Sequence, residues 1–136
     1  MQAKKILISG ILGGIAILVI SMALSLAFQA VFAFNVLTLA GMRAVNDPVM
    51  ILFFLHPFVV SFTVAILYEK TKKAFSGTTM QKGLLIGLLA WLVSSIQSAF
   101  LVFSTMDYPI GFTVNSIISP LIYMVAAGII IAKIQE

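Results

Sequence analysis

No cysteine occurs in the 136 residues, which excludes disulfides, thiolate metal sites and thiol nucleophiles and leaves the redox compartment unmarked. Charge is nearly as scarce. Four acidic and eight basic residues make up 9% of the chain, against 62% hydrophobic residues and a mean hydropathy of +1.19. So few polar groups cannot coat a soluble globule of this length, which otherwise fits one domain. Histidine occurs once, at His56, which excludes the multi-histidine spacings of known metal sites, and no metal or other cofactor is expected. No two acids share an apolar stretch, and no serine is accompanied by a base and an orienting carboxylate. The expectation is a chain that is not an enzyme.

What is present is four long uncharged stretches: Ile6–Phe34, Pro48–Tyr68, Gly83–Met106 and Pro109–Ala132. A hydrocarbon core about 30 Å thick needs about 20 apolar residues of helix, and each stretch supplies them. Residues 6–42 pass without a charge, so the apolar surface runs all round the helix instead of forming one stripe. The fold class expected is all-α: an integral membrane four-helix bundle occupying residues 1–136 as a single transmembrane domain. Lys4 and Lys5 followed by an apolar run could open a signal peptide, with Val31-Phe32-Ala33 as a passable cleavage site. The run is about twice the roughly 15 residues of a signal core, so a retained span is expected.

The eight basic residues are sorted. Lys4, Lys5, Lys70, Lys72, Lys73, Lys82 and Lys133 fall on one side of a four-span arrangement, and only Arg43 falls on the other. This bias orients both termini to the cytoplasm. It explains the pI of about 9.6 as topology, and with no basic patch interleaved with stacking aromatics, no nucleic-acid partner is expected. The bilayer is the expected partner, and the lysines near Lys70–Lys73 are placed to touch anionic headgroups.

Local signals punctuate the spans. Asp47 and Pro48 read as N-cap and first helical residue, and Ser76-Gly77-Thr78-Thr79 breaks the basic loop Glu69–Lys82. The apolar segment Gln29–Asp47 is either the end of a long tilted helix or a short interfacial helix. The two halves share marks: Lys5 stands five residues before Gly10 as Lys82 does before Gly87, and Pro57 and Pro120 each stand thirteen before a lysine. A parallel repeat of two helical hairpins would produce this, and so would chance in any two such hairpins.

Inside lipid, helices associate by close backbone approach, which favours small residues. Gly10-x-x-x-Gly14 and Gly83-x-x-x-Gly87 have that spacing, and Gly83, Gly87, Ala90, Ser94 and Gln97 continue a seam along the third span. The first span carries two small faces, Gly10/Gly14/Ser21/Ser25 and Gly13/Ala16/Ala23/Ala27, as a helix wedged between two neighbours would. These seams suit internal packing better than a homo-oligomer interface. Aromatic residues mark the outer boundary, whereas Trp91 lies mid-span, where its indole N–H needs a partner.

The candidate functional residues are polar groups at membrane depth: His56, Gln97 and Asn115, with Ser94, Ser98, Ser119 and Trp91 near them in sequence. Pro57 and Pro120 are expected to kink their helices and to free the carbonyls of Phe53 and Ser116. Two functions follow. In the first, these groups line a polar cavity in the outer half that binds or passes a small solute or proton, and the small size of one unit implies an oligomer. In the second, the chain is a non-catalytic accessory or assembly subunit packed against a membrane-protein partner. Finally, Lys82-Gly83-Leu84-Leu85-Ile86-Gly87-Leu88-Leu89-Ala90-Trp91-Leu92, with Asn115 and Met124-Val125-Ala126-Ala127-Gly128 downstream, resembles a family of small four-helix prokaryotic membrane proteins of unknown function. The resemblance implies four spans in a prokaryotic cell membrane and no particular activity.

Overall fold

The computed structural model describes residues 2–136, all helix and connections, with no strand among them. Helix α1 spans Gln2–Phe32, α2 Ile51–Thr71, α3 Thr79–Trp91, α4 Gln97–Thr105 and α5 Ile110–Gln135. Short 3-10 turns flank α2, and one π turn, Leu92–Ile96, joins α3 to α4 as a single rod. Four helical rods are therefore long and apolar enough to cross a membrane: Gln2–Phe32, Pro48–Ala74, Thr79–Thr105 and Ile110–Gln135.

Around the α2–α3 connection, the rods extend past the apolar runs. Helical turns continue to Ala74 and resume at Thr79, so the connection is Phe75–Thr78, not the longer Glu69–Lys82 loop. Lysine stems favour helix and carry their ammonium groups out to water, which lets the helix outlast the hydrocarbon. Thr78 then restarts the chain with a reciprocal cap: its side chain accepts from the Gln81 N–H at 3.3 Å, and Gln81 Oε1 accepts from the Thr78 N–H at 2.8 Å. Gly77 sits at φ +102, a conformation that L side chains rarely adopt.

On the far side, α1 ends at Phe32 with Ala33 in the left-handed region (φ 52) and Phe34 N–H bonded to Gln29 O. A 3-10 turn, Val36–Thr38, follows, so the segment after the first span combines a long helix with a short turn. Gln29 Oε1 accepts from the Val36 N–H at 2.9 Å, and Tyr108 donates to Ala40 O at 3.0 Å, tying the two far connections together. Asp47 caps the next rod through the Val49 N–H, with Pro48 at its first position. Pro109, by contrast, is the N-cap residue of α5 and not its first turn.

Helix α5 is the hub, with α1 and α3 against it, and α1 is wedged between α5 and α2. Gly10 and Gly14 take the rings of Phe62 and Phe58 from α2, and Gly13 faces Ser61 of α2 and Ile131 of α5. Across α5, a Cβ on Gly87 would meet Met124 O at 2.6 Å and Val125 Cα at 2.7 Å, and a Cβ on Gly128 would strike Gly83 O. These are backbone-on-backbone approaches that only glycine allows.

Burial is one-sided along the rods. In α1 the buried residues stop at Ile17, and in α3 they are Gly83, Ile86 and Gly87. Val64, Ala65, Tyr68, Ile86, Ile131 and Ala132 close a core among α2, α3 and α5 near the lysines. Beyond the middle the flanking rods are bare: residues 51–56 of α2 are all exposed, and α4 buries only Ala99. The bundle is shut at the lysine-rich end, whereas at the other α1 and α5 still meet, Gly111 against Phe32, and α2 and α4 are mostly bare.

One span contains an irregular turn that has no proline in it. Helix α2 continues through Pro57 and α5 through Pro120, both prolines buried, while the π turn falls in a stretch without proline. There Ser94 Oγ donates to Ala90 O at 2.6 Å, competing with the main chain for that carbonyl. Competition of this kind for an i−4 carbonyl is a known cause of local helix distortion.

Candidate functional site

The polar residues picked out by sequence do not gather in one cavity. His56 is exposed on α2 and Gln97 on α4. Asn115 is half-buried on α5, where its Oδ1 accepts from Ser119 Oγ at 2.6 Å, one turn away. Trp91 donates to Ile117 O at 2.9 Å and so fastens α3 to α5 at mid-span, beside the segment where Pro120 cannot donate. Ser94 and Ser98 lie with Gln97 on the exposed side of the third rod.

That side is a site of its own. Val93, Ser94, Ile96, Gln97, Ser98, Phe100, Leu101 and Ser104 line an open hollow of about 740 Å³, all drawn from the π turn and α4. Ser94 and Ser104 satisfy their hydroxyls on main-chain carbonyls of their own rod. The Gln97 amide has no such partner among the described residues. Between α4 and α5 lies a second, almost wholly apolar cleft of about 370 Å³, flanked by Ala99, Phe103, Val114 and Ile117.

The lysine-rich end holds a denser polar constellation. Gln135 is 1% exposed, and its Nε2 donates to Ser9 Oγ at 2.8 Å and Ala65 O at 3.0 Å. Its main-chain carbonyl accepts from Lys5 Nζ at 3.2 Å and Lys72 Nζ at 3.1 Å. Next to it, Glu136 Oε1 accepts from the Tyr68 hydroxyl at 2.8 Å and pairs with Lys82 Nζ at 3.2 Å. Lys72 also pairs with Glu69 at 2.9 Å. Two consecutive residues thus tie the ends of α1, α2, α3 and α5. The Glu136 carboxyl is held below its ordinary value, first by the Tyr68 hydroxyl and then by the Lys82 ammonium.

Sequence reading missed this latch. Ser9, Ser61 and Gln135 are lone polar residues in apolar helices, and only the meeting of Ser9/Gly13, Ser61/Ala65 and Ile131/Gln135, each pair one turn apart, shows that they share an interface. The available signal was weak: each polar residue stands four positions from a residue in close contact with a second helix.

Among the described residues no three His, Cys, Asp or Glu side chains cluster as metal ligands would. No protein-family model matches the chain, nor does any curated protein or solved structure.

Proposed function

We propose that this chain is a non-enzymatic membrane subunit, its lysine-rich end in the cytoplasm, that assembles with another transmembrane helix through the exposed polar face of its third rod. The observation that carries this reading is Gln97. Its amide stands exposed in the outer half of a rod apolar enough to span, on a face with Ser94, Ser98 and Ser104 at helical spacing. Hydrocarbon offers an amide nothing to bond, so a neighbouring helix is its natural complement. The lysine-rich end has spent its small-residue seams on closing its own core, whereas this face is unspent.

The test is the assembly state of the full chain purified from membranes in mild detergent. Wild type is expected to migrate as a complex, with itself or with a co-purifying membrane protein, and Gln97→Leu to release it as a folded monomer. A wild-type chain that is already monomeric with nothing bound would overturn the reading.

The hollow beside Gln97 supports a second reading, passage or binding of a small solute at the interface of an oligomer. In that case His56, facing outward from α2, would face a pathway only after assembly. Its proton linkage is checked by solute or proton flux in proteoliposomes. The expected outcome is that His56→Ala removes the pH dependence of the flux, and an unchanged profile would end that role.

A further inference from the structure

The seven lysines at the closed end fall into two groups. Lys5, Lys72 and Lys82 are half-buried and bonded to Gln135 O, Glu69 or Glu136. Lys4, Lys70, Lys73 and Lys133 are exposed and meet no acceptor among the described residues. At the far end the one arginine is engaged, Arg43 pairing with Asp47 at 3.0 Å. The unengaged cations therefore sit at one end only, on the neighbouring ends of α2, α1 and α5.

What lies beneath two of them, Lys4 and Lys70, is aliphatic. Helical spacing puts Lys4 on the face of Leu7 and Ile8, which are 53% and 39% exposed, and Lys70 on the face of Ile66 and Leu67, 48% and 47% exposed. An ammonium standing over an exposed aliphatic patch matches a phospholipid, with chains against the aliphatic residues and phosphate against the cation. An acidic soluble partner or a free phosphate would use the cations and leave the aliphatic surface unmatched.

We infer that Lys4, Lys70, Lys73 and Lys133 form an interfacial surface that takes anionic phospholipid headgroups, while Lys5, Lys72 and Lys82 serve the fold. The inference does not depend on the assembly reading, since it uses the opposite end and different residues. Each lysine near an anionic leaflet contributes about 1 kcal/mol, a factor of about five in partitioning.

The experiment uses the purified full chain in detergent, supplied with phosphatidylglycerol or phosphatidylcholine. Retained lipid is counted by native mass spectrometry, and the thermal midpoint is followed by circular dichroism. Wild type is expected to retain the anionic lipid severalfold over the zwitterionic one and to gain thermal stability only from the former. Replacing Lys4, Lys70, Lys73 and Lys133 by Gln should bring the ratio near one without changing the midpoint in phosphatidylcholine. Lys82→Gln should lower the midpoint in both lipids and leave the ratio intact. If the fourfold variant does not fold, Lys70→Gln with Lys73→Gln, both on exposed positions, should still reduce the ratio. Equal retention of the two lipids by wild type, an unreduced ratio in the variants, or the same stabilisation by inorganic phosphate would each overturn the inference.

Discussion

Gln97 and Gln135 are the same side chain in two apolar helices, and they meet opposite fates. Gln135 is buried among α1, α2 and α5 and donates to Ser9 and Ala65, whereas Gln97 stands exposed over a hollow made by its own rod alone. The difference lies in their neighbours. Near Gln135 the helices carry Gly10, Gly13, Gly14, Gly83, Gly87 and Gly128, so backbones approach and side-chain amides reach across. The hollow at Gln97 is lined by Val93, Ile96, Phe100 and Leu101 of its own rod, with no glycine among its lining residues. In lipid there is no hydrophobic drive to close such a gap, so the distribution of small residues decides which half is shut.

The largest expected break of this contrast is Gly128→Val, which would drive a side chain into the Gly83 carbonyl. A cost near or above the top of the usual 1–3 kcal/mol for overpacking is expected, against less than about 0.5 kcal/mol for Ser104→Val on the bare face. Reversible unfolding in mixed micelles, followed by circular dichroism, measures both, and equal costs would mean that the one-sided packing is wrong. The two glutamines give the next test. Gln135→Leu should cost about 1 kcal/mol by removing the donor to Ser9 Oγ and Ala65 O, while Gln97→Leu should leave the monomer no less stable. A monomer weakened equally by both changes would erase the distinction.

The smallest effect concerns the latch acid. Because the Glu136 carboxyl is held below its ordinary value in the folded chain, its contribution is complete above the unfolded value of 4.5 and is lost as pH falls below that through the lowered one. The thermal midpoint of wild type is therefore expected to drop over that acid range, and Tyr68→Phe, which removes the first cause of the shift, should flatten the drop. An identical acid profile in the variant would show that the hydroxyl does not hold the carboxylate.

Much of the fold was legible because it follows from lengths and spacings. Four uncharged runs gave four rods and Asp47-Pro48 gave a capped start, while of the two small faces of the first span Gly10, Gly13 and Gly14 meet α2 and α5 and Ala23 and Ala27 stand exposed. The irregular turn came at Ser94, whose hydroxyl takes a main-chain carbonyl, while α2 and α5 carry their prolines without interruption. The candidate site was less legible still, since His56, Gln97 and Asn115 are all polar residues within apolar stretches, yet the first two stand exposed and only Asn115 is half-buried.

Composition and charge placement alone determined that the chain has four membrane-capable helices and that its lysines collect at one end, because both are properties of single segments that need no partner. Tertiary structure alone decided which polar groups are paired and which stand free. An amide or ammonium in an apolar helix reads the same in either case, and only the approach of a second backbone supplies the acceptor that tells Gln135 from Gln97, or Lys82 from Lys70.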